Sequence, residues 1–107
     1  MKNLGQMLKQ AQEMQAKMAE LQKRLETEEI TGTSGGGMVS VTMTGKGEAR
    51  RVTIDPKIVD ANEREVLEDL IVAAINDARA KVEARLAEAM SSLTGGLSLP
   101  PGLKLPF

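Results

Sequence analysis

Leu4, Met7, Ala11, Met14, Met18, Leu21 and Leu25 follow one another in alternating steps of three and four residues, the spacing of an apolar seam on a helix. A second helical stripe, through Val66, Leu67, Leu70, Ile71, Ala74, Ile75, Ala78, Val82, Leu86, Ala89, Met90 and Leu93, runs as far as Gly95-Gly96. At about 1.5 Å per residue, a helix of roughly thirty residues reaches about 45 Å. Only short strands fit between the two stripes, so the second helix outruns the sheet beside it. Part of it must project or meet another chain.

On the first helix Leu8 widens the seam, and Lys9, Gln10, Gln12, Glu13, Lys17, Glu20, Lys23 and Arg24 form the polar face. The balanced charge of that face disfavours a membrane-surface helix and favours burial against the fold or a second chain. After Glu28 the pattern shortens to β-type segments. Glu29-Ile30-Thr31-Gly32-Thr33-Ser34 is followed by the breaker Gly35-Gly36-Gly37, then by the alternating Met38-Val39-Ser40-Val41-Thr42-Met43-Thr44. The alternation places Val39, Val41 and Met43 on one face. Gly45-Lys46-Gly47 is a turn, and Arg50-Arg51-Val52-Thr53-Ile54 is a third strand with Val52 and Ile54 on the core side. Asp55-Pro56 opens a short helical turn over Lys57-Ile58-Val59, and Asn62 with Glu65 has the spacing of a capping box for the long helix.

The predicted fold is α+β, one domain over 1–107: a helix over 1–27, a three-stranded antiparallel meander over 28–54, a helical region over 55–94, and an extended tail rich in Pro and Leu over 95–107. Such a chain has little interior. Its larger apolar residues are Leu, Val, Ile and Met, with Phe107 the only aromatic, so a partner copy is expected to complete the core.

The absence of cysteine and histidine removes disulfides, thiol nucleophiles, thiolate metal sites, the usual general base and the commonest metal ligand. No metal site, cofactor, small-molecule substrate or catalytic residue is expected, and the chain reads as a non-enzyme. Neither a membrane-span-length apolar run nor a secretory leader is present, which predicts a cytoplasmic protein. Gly45-Lys46-Gly47-Glu48-Ala49-Arg50 lacks the third glycine and the helix of a dinucleotide fingerprint, and Gly35–Gly37 lacks the following Lys-Ser or Lys-Thr of a phosphate loop. Both are read as turns. The carboxylate pairs Glu28-Glu29 and Glu68-Asp69, and the acidic stretch from Asp55 to Asp77, match helix starts better than a catalytic or metal site.

A formal net charge of −1 argues against a simple electrostatic binder of nucleic acid. The sign is nonetheless unevenly distributed. Lys2, Lys9, Lys17, Lys23 and Arg24 give the first helix a positive excess, and Lys46, Arg50 and Arg51 do the same for the hairpin. Neither stacking aromatics for RNA nor a zinc-finger pattern accompanies them.

Four stretches, in this order and spacing, resemble the YbaB/EbfC family of bacterial nucleoid-associated proteins. They are Asn3-Leu4-Gly5-Gln6-Met7-Leu8-Lys9-Gln10-Ala11-Gln12, Gly35-Gly36-Gly37-Met38-Val39, Thr53-Ile54-Asp55-Pro56 and Leu99-Pro100-Pro101-Gly102-Leu103-Lys104-Leu105-Pro106-Phe107. The resemblance spans nearly the whole chain. It implies a homodimer whose sheets join at the centre and whose long helices project as paired arms, binding double-stranded DNA at the nucleoid with little or moderate sequence preference. Two copies double any basic patch and hold the two patches at fixed spacing, so neutrality of one chain matters less. The resemblance transfers no residue-level site. From charge and position the expected phosphate contacts are Lys2, Lys9, Lys17, Lys23, Arg24, Arg79, Lys81 and Arg85, with Arg50 and Arg51 as a second choice because acids across the sheet compete for them. The alternative reading is a non-enzymatic assembly module whose helical arms hold a protein client.

Overall fold

The computed structural model describes residues 3–94; Lys2 and the segment 95–107, expected as a tail, lie outside the described residues. The elements are α1 (Leu4–Thr27), β1 (Glu29–Ser34), β2 (Val39–Thr44), β3 (Ala49–Ile54) and α2 (Arg64–Thr94), with 3-10 turns at Gly35–Gly37, Pro56–Ile58 and Ala61–Glu63. The strands form one antiparallel sheet in the order β1-β2-β3. This is the α+β order that the two helical stripes and the glycine-punctuated middle predict.

The core begins on the central strand. Val39, Val41 and Met43 turn one face of β2 toward α2 and are buried, joined by Ala74, Ala78 and Val82 from the helix. Ile30, Leu67, Leu70 and Ile71 pack around them. Each fully buried valine contributes on the order of 1.5–3 kcal/mol over its exposed state. The alternate residues make the sheet's other face polar, and there the Thr31 and Thr42 hydroxyls share a hydrogen bond of 2.9 Å.

Gly32 decides how closely the helix can approach. It pairs with Val41 and so shares the face that α2 covers. A Cβ at Gly32 would lie 2.1 Å from the Ala78 nitrogen and 2.7 Å from the Ala74 carbonyl oxygen. Glycine in the strand and alanines on the helix therefore let the two backbones touch. From that seat α2 reaches over the outer edge of β1. Asp77 accepts the Thr33 N–H at 2.8 Å, Lys81 Nζ lies 3.5 Å from the Thr31 carbonyl, and the Ser34 hydroxyl donates to the Leu70 carbonyl at 2.6 Å.

The β1–β2 connection needs glycine because Gly35, Gly36 and Gly37 all have positive φ, at 59°, 66° and 96°. At the other hairpin Gly45 serves a different end. Its N–H donates to the Leu25 carbonyl at 2.8 Å, satisfying an orphan group at the end of α1, and a Cβ there would meet the Leu25 carbonyl oxygen at 2.9 Å. The first helix is thus pinned by its C-terminal end alone. Leu21 and Leu25 are buried with Ala89, flanked by Leu86 and Leu93, while Leu4, Met7 and Leu8 stay about 60% exposed.

Three local expectations are corrected. The capping box at Asn62 and Glu65 does not form: Asp60 accepts the Asn62 N–H at 2.9 Å, a short 3-10 turn intervenes, and α2 starts at Arg64. Asp60 thereby takes the Asn62 N–H that the Glu65 carboxylate would accept in a capping box. Val52 lies in register with Val41, on the face where the sequence places it, yet is 50% exposed because α2 packs on β1 and β2 and leaves β3 uncovered. Val66 is also half exposed, since it sits on the flank of α2 while Leu67 and Leu70 turn toward the sheet. Asp55, by contrast, caps its turn as expected, accepting the Lys57 N–H at 2.9 Å beside Pro56. The molecule is drawn out to 73 × 26 × 17 Å because α2 and α1 leave the sheet together.

Two outcomes follow from this packing. Gly32→Ala should lower stability by about 3 kcal/mol, the upper end of overpacking costs, because the added methyl meets helix backbone rather than a flexible side chain; urea unfolding measures it. Asp77 is held below the ordinary carboxylate range by the Lys81 hydrogen bond first and the Thr33 N–H second. A lowered folded-state value means its contribution is complete above the unfolded pKa of about 4 and is lost as pH falls through the folded one. Asp77→Asn should therefore be less stable than the parent at pH 7, with the difference shrinking as pH falls below about 4, read from melting temperatures across that range.

Candidate nucleic-acid interface

At about 100° per residue, Lys9 and Lys23 fall on the side of α1 opposite the Leu4–Leu25 seam, whereas Lys17 and Arg24 fall on its flank and line a groove with Arg85, Glu88 and Ser92 of α2. The seam turns inward where α2 covers it, so Lys9 and Lys23 point outward while Lys17 and Arg24 border the groove beside α2. All four are exposed. From Lys9 to Lys23 the row extends about 21 Å, enough to reach phosphates on both sides of a major groove about 12 Å wide. Lys9, Lys17 and Lys23 make no ion pair among the described residues. Arg24 pairs only with Glu20, one turn away at 3.4 Å and largely solvated. An exposed pair of that kind is worth less than about 1 kcal/mol and yields readily to a phosphate.

The remaining expected contacts divide by what already holds them. Arg79 on α2 has no ion pair among the described residues and lines an open groove with Lys46, Gln22, Leu25 and Leu86. Lys81 is engaged with Asp77 at 2.8 Å and leans on β1. Arg85 donates through Nε to Glu28, with both side chains about a quarter exposed, and that hydrogen bond raises the guanidinium above its ordinary value. Glu28 Oε2 is buried with no hydrogen-bond partner among the described residues. Removing Arg85 would leave a carboxylate without its cation where α1 passes into β1, so this arginine has a structural task whatever else it touches.

Arg51 reaches Glu29 at 3.6 Å from β3 to β1 across the polar face, and Arg50 reaches Glu48 at 3.5 Å within the hairpin. The competition expected for this pair is what the geometry shows. Lys46, which the sequence offers only as a turn charge, is brought beside α1 by the hairpin and pairs with Glu26 at 3.0 Å. Nothing local could reveal that, because residues 26 and 46 meet only through the pinning of α1 on Gly45. Three acids of the 55–77 stretch have structural tasks: Asp55 and Asp60 cap turns, and Asp77 holds β1. Among the described residues no group of three or more acidic side chains is arranged to hold a metal ion, and no helix is long and apolar enough to cross a membrane.

The described residues thus present a projecting helix with four exposed cations, of which Arg24 is ion-paired, and a sheet whose acids are engaged. Comparison with known proteins agrees with that arrangement. The model of the YbaB/EbfC DNA-binding family matches residues 1–97. Nucleoid-associated proteins of Rhodospirillum rubrum and Paramagnetospirillum magneticum are 59% and 61% identical to it over 107 residues, covering the whole of both chains in each case. Another, from Brucella ovis, is 52% identical over the same full length. The crystal structure of an uncharacterized protein from Helicobacter pylori superimposes with a TM-score of 0.74 at 26% identity, covering 86% of this chain and 97% of that one. The chain belongs to the YbaB/EbfC DNA-binding family.

Proposed function

We propose that this protein is a nucleoid-associated protein that grips duplex DNA as a homodimer through phosphate contacts and performs no catalysis. The observation that carries the reading is the set of exposed lysines on α1, Lys9, Lys17 and Lys23, which make no ion pair among the described residues, on an arm that leaves the sheet. Such a set neutralises phosphates without reading base edges, so binding tolerates many sequences and serves to organise or protect DNA and to influence the genes within it. Arg24 and Arg79 extend the surface, and Lys2 and the paired cations Lys81, Arg85, Arg50 and Arg51 contribute less directly.

Pairing is supported by the difference between the two sheet edges. The edge of β1 is closed by Asp77, Lys81 and Ser34, whereas β3 is an open edge with the half-exposed Val52 beside it. An open edge with apolar flanks is a template for another strand, and a second copy is the partner always at hand. Joining two copies there sets two cationic arms at one fixed spacing, and the second engages the duplex at high effective concentration.

Replacing Lys9, Lys17 and Lys23 together by Gln should weaken binding to random duplex uniformly and reduce the slope of log affinity against log salt by about 3 per engaged chain. Gel-shift titrations at several salt concentrations measure this, and unchanged affinity with the fold intact rejects the interface. Val52→Lys should convert the dimer to monomer in sedimentation at micromolar concentration; a variant that stays dimeric places the junction elsewhere.

A further inference from the structure

Among the described residues, α2 lies against only part of the apolar seam of α1. Leu25 shares a groove with Val82 and Leu86, and Lys17 and Leu21 share the next with Ala89, Ser92 and Leu93. The two helices therefore run antiparallel, and α2 reaches along α1 to about Lys17. Beyond that point Leu4, Met7 and Leu8 are 61%, 62% and 59% exposed, Ala11 is exposed and Met14 is half-buried. Three large apolar side chains on one face, each more than half in water, mark an interaction surface.

The residues bordering this strip define what fits it. At about 100° per residue, Leu8 and Gln15 flank the seam on one side and Asn3 and Gln10 on the other. None of the four is charged. In a helix pair these flanking positions face the partner, so a second copy of the same strip meets it without like-charge repulsion. Farther along, Lys17 and Arg24 charge the flank that α2 adjoins. Sterics then choose a direction. A parallel neighbour would run along the seam into α2 beyond Lys17, whereas an antiparallel one leaves past the N-terminal end of α1 and clears it.

We propose that the first half of α1 pairs antiparallel with the same stretch of another copy, Leu4 of each opposite Met14 of the other and Met7 opposite Ala11. In this register a large side chain meets a small one at Met7, the two Leu8 side chains meet on one flank, and the two Gln10 amides meet on the other. The overlap is about 15 Å long, far smaller than a permanent interface, so the contact is reversible. Arms that meet antiparallel at their N-terminal ends approach from opposite directions, which joins separate units tip to tip. Lys9 lies on the opposite side of the helix and stays open to phosphate. The consequence for DNA, two duplexes held together, rests on the binding reading above; the pairing itself does not.

The test uses full-length protein without DNA, followed by sedimentation equilibrium from micromolar to millimolar concentration. The parent should show a reversible species at least twice the mass of its base unit. Gln10 is exposed and about 22 Å of helix away from Leu25, so changing it disturbs neither the core nor the β3 edge. Gln10→Glu and Gln10→Lys should each lose the larger species, since like charges then face each other, and an equimolar mixture of the two should regain it. Restoration in the mixture is an outcome that misfolding of either variant would not give. A parent that shows no larger species overturns the proposal. So does association that neither charge alters, which is also what a parallel pair would give because Gln10 then faces Gln15, and so does a mixture that fails to recover. Whether the base unit is itself a dimer joined at β3 is read separately, from its mass at the lowest concentration.

Discussion

Everything in this molecule is arranged around the contact between one glycine and one helix. Because Gly32 has no side chain, Ala74 and Ala78 bring the α2 backbone directly onto β1, closer than any Cβ would permit. That proximity lets Val39, Val41 and Met43 reach full burial under a helix whose own side chains are small. It also carries Asp77, Lys81 and the Leu70 carbonyl past the strand, where they take up polar groups that an edge would otherwise offer to another chain. A helix standing one methyl group farther away would do none of these things.

The same seat makes the molecule lopsided. A helix centred over β1 and β2 cannot also cover β3, so Val52 is half exposed although it is in register with the buried Val41. One edge is closed and the other open, and the proposed dimer uses the open one. At its far end α2 passes beyond the sheet and becomes the support for α1, which is otherwise held at its C-terminal end by Gly45, Lys46 and the Arg85–Glu28 pair. The arm is therefore an outcome of length: the helix is longer than the sheet is wide.

Charge follows the same division. Around the sheet, cations and acids are paired: Arg85 with Glu28, Lys81 with Asp77, Arg51 with Glu29 and Lys46 with Glu26. On α1, Lys9, Lys17 and Lys23 make no ion pair among the described residues. A chain with a formal net charge of −1 can thus show a positive surface, because its acids are concentrated where they cap turns and hold strands. Net charge is a poor guide to a protein whose two halves use their ions differently.

The sequence alone determined the order of elements, since helical and strand periodicities are local and the glycine runs mark their ends. It also determined which face of β2 is buried and that Asp55 begins a turn, because both depend on neighbouring residues in the chain. Membership of the family was legible in four short stretches, and the matching family model agrees. What only the tertiary structure decided are the relations between distant residues. Gly32 carries no local sign that a helix will rest on it, and Val52 reads like any core valine. Among the cations, identity and helical face could be read from spacing, but not which were already occupied: Arg85 and Lys9 look alike in a sequence, and only the approach of Glu28 separates them. Periodicity fixes which side a residue faces, whereas burial and pairing depend on what the folded chain brings to that side.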